Sequence, residues 1–272
     1  MTQNLNGKVA VVVGCSASLG TGWNVATALA AAGAKVVVGA RSFSRLQELA
    51  RKIDGTAVAC DIADELQVEK VAQTAVATYG RLDIAVNAAG LADQSSVAEV
   101  TTQNLQRAVD INFFGNVYFV KHMAKAIDRD GSIVIISSLS TTHPMAPFFA
   151  YACAKSATDC LVRYAAKEYG PRNIRINSIL PGPIMSDMTR EIYAQPGYVS
   201  ALEREIPLGR IGYPEDFANA VLWLAGPAYV TGLNIPVCGG IQLGRFPYAD
   251  ELPGMKPLTT LHEREPDAVD PR

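Results

Sequence analysis

The chain has 272 residues, 49% of them hydrophobic and 18% charged, with a formal net charge of −2. That is enough apolar matter for a sizeable core and too little charge for a disordered chain. The balance leaves no broad basic surface for nucleic-acid phosphates, and no apolar run reaches the ~18–20 residues of a membrane span. Residues 1–8 show no charged-then-apolar secretion signal, so a soluble, cytoplasmic protein is expected. Cys15, Cys60, Cys153, Cys160 and Cys238 are scattered without a C-x-x-C pair, which argues against a disulfide framework. His122, His143 and His262 lie far apart, and no metal site is expected.

Short apolar runs alternate with longer amphipathic ones. Strands are expected at Lys8–Val13, Lys35–Gly39, Thr56–Cys60, Leu82–Val86, Ser132–Ser137 and Ile174–Leu180. Helices are expected at Thr21–Ala32, closed by Gly33, at Ser42–Lys52 with Ser42 or Ser44 as N-cap, and at Asp64–Tyr79. Further helices are expected at Thr102–Ile127 as one long stretch, Tyr151–Tyr169 and Pro214–Leu224. Leu233–Val237 reads as a last short strand, although Pro236 cannot donate to a central ladder. This order implies an α/β fold: one domain, residues 1–240, with a doubly wound, Rossmann-like parallel sheet in a three-layer α/β/α arrangement. Residues 241–272 carry Pro247, Pro253, Pro257, Pro266 and Pro271 and no periodicity, so an extended tail is expected, anchored through Phe246 and Tyr248.

After the first strand comes Gly14-Cys15-Ser16-Ala17-Ser18-Leu19-Gly20, which opens an Ala-rich helix. Backbone amides and the positive helix end would meet there in a diphosphate site. Two glycines six apart also fit an ordinary turn. The second strand ends Gly39-Ala40-Arg41, with no acid to bond a ribose 2′-hydroxyl. Arg41 suits a 2′-phosphate instead, which favours NADP over NAD.

Tyr151-Ala152-Cys153-Ala154-Lys155 forms Y-x-x-x-K, with Ser138 thirteen residues earlier. Asn87-Ala88-Ala89-Gly90 follows the fourth strand, Asn112 lies in the long helix, and Pro181-Gly182-Pro183-Ile184 follows the sixth strand. Over residues 5–240 this ordered set resembles the short-chain dehydrogenase/reductase family. Residues four apart share a helix face, so Tyr151 and Lys155 should point together. A nearby ammonium and an oxidised nicotinamide should lower the tyrosine below its ordinary value of about 10, making it a general acid or base. Ser138 can hydrogen-bond the substrate oxygen as charge develops.

The resemblance implies further roles. Lys155 would also hold the nicotinamide ribose, and Asn112 a water in a proton relay. Gly14, Ser16, Ser18, Leu19, Gly20, Arg41, Asp61, Ile62, Asn87, Gly90, Tyr151, Lys155, Pro181, Gly182, Ile184 and Ser186 would contact the cofactor. Val13, Ser18, Ala88 and Ser186 depart from the family pattern. The Ser18 Cβ stands where backbone approaches the diphosphate.

Ser140, Met145, Phe148, Met185 and Met188 are candidate substrate contacts, though several could simply be core. No arginine stands in the loop 139–150 to grip an anion, so an uncharged, hydrophobic ketone or secondary alcohol is expected. Residues 183–212 should form a mobile lid. The resemblance also implies a homotetramer or dimer built through residues 102–127 and 151–169. The expected function is an NADP(H)-dependent reductase or dehydrogenase. The alternatives are an NAD-dependent alcohol dehydrogenase of the same family and a non-catalytic cofactor sensor on the same fold.

Overall fold

A computed structural model describes residues 3–255. Seven strands form one parallel sheet: β1 (Val9–Val13), β2 (Lys35–Ala40), β3 (Thr56–Ala59), β4 (Ile84–Asn87), β5 (Ser132–Ile136), β6 (Arg175–Pro181) and β7 (Asn234–Val237). Their order is β3-β2-β1-β4-β5-β6-β7, so the winding reverses between β1 and β4. Pro236 pairs opposite Leu180 on the sheet edge, where a missing amide costs little.

The strands read as nearly continuous β-branched and apolar runs because both faces are covered. Val9, Val11 and Val13 face one core together with Val68, Phe119 and Val162. Ala10 and Val12 face the other with Leu29, Leu46 and Phe217. The first layer holds α3 (Glu65–Tyr79), α5 (Gly115–Ala126) and α6 (Phe149–Tyr169). The second holds α1 (Thr21–Ala31), α2 (Phe43–Lys52) and α9 (Pro214–Ala225). Asp64 caps α3 by accepting from the amides of Leu66 and Gln67, and Gly80 closes that helix in the left-handed region. Ser42 stands at the N-cap of α2 but makes no side-chain cap bond.

Two expectations are met only in part. Residues 102–126 are one unbroken helical stretch, but it divides into α4 (Thr102–Val109), a π-helical turn over Asp110–Phe114, and α5. The cause is Asn112, which is fully buried. Its Nδ2 donates to the carbonyls of Leu91 and Ala108, and its Oδ1 accepts from the Leu91 amide. Its main-chain oxygen accepts from Thr158 Oγ1 at 2.5 Å and Asn116 Nδ2 at 2.7 Å. Those side-chain donors pull the carbonyl out of the regular ladder.

The second concerns the tail. Ile241, Phe246 and Leu252 are buried against Tyr198, Leu202 and Ile206, so residues 241–255 pack on the body instead of extending from it. Tyr248, the other expected anchor, is exposed. Residues 256–272 of the expected tail, with His262, lie outside the described residues.

Phe119 is fully buried in the first-layer core. Phe119→Ala should lower stability by about 3–5 kcal/mol, read as a fall in the urea midpoint at unchanged slope.

Candidate active site

Parallel strands deliver their carboxyl ends to one edge, and ligands in such folds bind there. A cleft of about 490 Å³ opens at that edge. Its floor holds Val13 and Gly14 after β1, Ala40 and Arg41 after β2, Asp61 and Ile62 after β3, and Ala88 to Leu91 after β4. Ser137 and Ser138 follow β5, and Pro181, Gly182, Ile184, Ser186 and Met188 come from and after β6. A smaller pocket of about 110 Å³ adjoins it, lined by Gly90, Leu91, Ala92, Tyr151, Lys155 and Met188.

The glycine-rich turn adopts the shape its sequence suggests. Gly14 has φ +92°, and a Cβ there would lie 2.4 Å from the Ala89 nitrogen, so only glycine fits. Gly20 is the N-cap of α1 and supplies no side-chain cap, which leaves the helix start open toward the cleft. The Leu19 amide donates to Asp187 Oδ2 at 3.1 Å. The turn thus already holds an anionic oxygen, and its donors fit a diphosphate. Ser16, Ala17, Gly20 and Thr21 line the cleft. Ser18 and Leu19 do not line it; Ser18 is exposed and has no positive φ, so its Cβ neither strains the backbone nor fills the cleft.

Toward the β2 side of the sheet, Arg41 is exposed and lines the cleft, which Asp61, Ile62, Arg107 and Ile111 also line. Arg107 and Thr189 also line the cleft; no sequence motif marks them, and tertiary packing alone brings them in.

Toward the β5 side of the sheet, Ser138 and Tyr151 line the same cleft. Ser138 Oγ accepts from Ser140 Oγ at 2.9 Å and from the Ser140 amide at 3.2 Å. Lys155 is only 2% exposed, and its Nζ donates to the Ile136 carbonyl at 2.8 Å. The same Nζ lies 5.7 Å from the Tyr151 ring centre. Burial lowers the Lys155 ammonium to about 8, with Asp159 opposing. Burial pushes the Tyr151 phenol up, while the neighbouring Ser138 hydroxyl pulls it down. In these surroundings desolvation, with the Asp159 charge beside it, outweighs the Ser138 hydroxyl.

Several expected contacts sit elsewhere. Asn87 is fully buried, donating to Asn116 Oδ1 at 2.8 Å and accepting from the Ala89 amide at 2.9 Å. It shapes the turn after β4 and does not line the cleft. Asn112 has every polar atom bonded within the protein, as described above, and acts on the site by holding the Gly90–Leu91 turn. Met145 and Met185 pack into the cluster of Tyr198, Leu202 and Ile206, away from the cleft lining. Ser140 and Phe148 do not line it either; Ser140 orients Ser138, and Phe148 is the N-cap residue of α6. Met188 is 65% exposed and lines both pockets. Residues 183–212 carry α7 (Arg190–Tyr193) and α8 (Tyr198–Glu205). Their first turn is folded by Thr189 Oγ1, which donates to the Ile184 carbonyl at 2.7 Å and meets Ser186 Oγ at 3.1 Å.

A family model described as Enoyl-(Acyl carrier protein) reductase matches residues 14–242. The chain belongs to the short-chain dehydrogenase/reductase family. Borneol dehydrogenase, mitochondrial, of Lavandula x intermedia is 34% identical over 247 residues, covering 89% of this chain and 93% of that protein. The 7alpha-hydroxysteroid dehydrogenase of Escherichia coli K12 is 32% identical, covering 87% and 94%. A short-chain type dehydrogenase/reductase from Mycobacterium ulcerans superimposes with a TM-score of 0.86 at 32% identity, over 90% of this chain and 93% of that one. Like other short-chain dehydrogenases/reductases, the chain is an oxidoreductase of alcohols and ketones that uses a nicotinamide cofactor. Among the described residues, no helix is long and apolar enough to cross a membrane.

The buried lysine ties stability to pH. Its ammonium is depressed on folding, so between about pH 8 and 10.5 the unfolded chain binds more protons. Stability should therefore rise with pH across that window, by up to about 3 kcal/mol. Lys155→Met should flatten the rise, measured as urea midpoints at a series of pH values.

Proposed function

We propose that this short-chain dehydrogenase/reductase is NADP(H)-dependent and interconverts an uncharged, apolar ketone and its secondary alcohol. The observation that carries the reading is one cleft lined both by Arg41, after β2, and by Ser138 and Tyr151, with Ser138 after β5 and with β1 and β4 lying between in the sheet order. A bound nicotinamide dinucleotide supplies or accepts the hydride there. Arg41 would pair with the 2′-phosphate, a task to which its planar donor fork is suited. No acid beside it at Ala40 favours a bare ribose 2′-hydroxyl.

The rest follows from this chain's own side chains. Both bonds from Ser140 end on Ser138 Oγ, which leaves the Ser138 hydrogen to be given to the Tyr151 oxygen or to a substrate oxygen. Tyr151 is held protonated at neutral pH, ready to give its proton to that oxygen as reduction proceeds. In oxidation it must first lose that proton, and the Lys155 ammonium and a cationic nicotinamide both favour the phenolate. In this scheme Asn112 is a scaffold for the turn beside Lys155; its full set of internal bonds supports that role over a relay. Met188, Leu91 and Ala92 offer an apolar surface beside Tyr151. Two relatives carry names for borneol and a hydroxysteroid, which are apolar ring alcohols and agree with such a surface. Phe114 and Tyr164, 40% and 74% exposed beside α5 and on α6, support self-association through those helices.

Tyr151→Phe should cut kcat by about 10²–10⁴-fold with little change in cofactor affinity. A fully active variant would sink the mechanism. Arg41→Ala should weaken NADPH binding about tenfold or more and leave NADH binding nearly unchanged, read by titration calorimetry. Equal losses for both would remove the 2′-phosphate assignment.

A further inference from the structure

Lys155 is an ammonium in the interior with a neutral carbonyl as its hydrogen-bond acceptor. Such a charge is costly unless an opposite charge lies near. One turn further along α6 stands Asp159, 5% exposed. Residues four apart on a helix are neighbours on one face, about 5–6 Å between Cβ atoms. Asp159 Oδ1 accepts from Ser178 Oγ of β6 at 3.1 Å, and its main-chain oxygen accepts from Asn234 Nδ2 of β7 at 3.3 Å. These bonds hold α6 against the sheet at the level of the cleft floor. The ionisable groups that act on this carboxylate and on Lys155 are therefore Asp159, Lys155 and, one turn earlier, Tyr151.

We propose that Asp159 is a positioning residue of the site: its buried carboxylate is the counter-charge that keeps the Lys155 ammonium protonated beside Tyr151. Two opposing effects set the pair. Burial disfavours both charges, raising Asp159 and lowering Lys155. Each charge then offsets part of the other's loss, and the Ser178 hydroxyl stabilises the carboxylate further. A role confined to bonding Ser178 would need only a neutral acceptor. Charge and acceptor can therefore be separated by substitution.

The test uses the full chain without cofactor or substrate, so its failure leaves the proposed function standing. Protein carrying lysine labelled with ¹³C at Cε is titrated by NMR, and the Lys155 signal is assigned as the one missing in Lys155→Met. The wild-type midpoint should fall at about 8. Asp159→Asn keeps an acceptor for Ser178 and removes the charge; its midpoint should drop by about one unit. Asp159→Glu retains the charge and should keep the midpoint close to the wild-type value. Asp159→Ser serves as the neutral variant if the asparagine protein does not fold, with the same drop expected. A neutral variant whose Lys155 titrates at the wild-type midpoint would overturn the proposal and leave Asp159 a structural acceptor.

Discussion

The site depends on one buried polar residue that a regular helix could not accommodate. Asn112 lies at the centre of the π-helical turn between α4 and α5, with its side chain bonded to the Leu91 amide and carbonyl. Thr158 and Asn116 take its main-chain oxygen, and Asn116 in turn accepts from Asn87. This one network joins the end of β4, the turn after it, α5 and α6. Every buried polar atom of Asn112 needs a partner, because an unmade hydrogen bond in the interior costs about 1–3 kcal/mol. Satisfying them all widens the helix and at the same time sets the Gly90–Leu91 turn. A Cβ added at Gly90 would come within 3.2 Å of Asn112 Oδ1 and 3.4 Å of Lys155 Nζ, which shows how closely the turn meets the lysine.

The same closeness explains the electrostatics. α6 carries Tyr151, Lys155 and Asp159 at successive turns along one face. The face is pressed onto β5 and β6, with Lys155 and Asp159 buried and Tyr151 half-buried at the cleft. Desolvation therefore works on all three groups at once, raising the acids and lowering the base. In the family's reaction a tyrosine has to change protonation state. A site that leaves it neutral and brings a cation near can be tipped by the charge of whatever binds next to it.

The substrate side follows a different logic. Residues 183–212 and 241–255 share a hydrophobic cluster that draws in Met145, Met185, Ile192 and Tyr193. Side chains that look like pocket lining in a linear reading instead hold these segments together. Met188 stays exposed on the cleft, so the apolar surface offered to a substrate is narrower than the count of methionines suggests.

The alternation of apolar runs and amphipathic stretches determined the parallel sheet and its layers, because strands buried on both faces must be apolar throughout. Local spacing also determined the pairing of Tyr151 with Lys155 on one helix face and the turn at Gly14, where only glycine fits. These features obey short-range rules, and short-range rules can be read along a chain. Tertiary structure alone decided the rest. The π-helical turn at Asn112 depends on Leu91 and Thr158, residues far apart in sequence. Arg107 entered the cleft, and Asn87 left it, through packing between elements. The raised tyrosine and the buried Asp159 reflect exclusion of water, which is a property of the assembled layers and of no single segment.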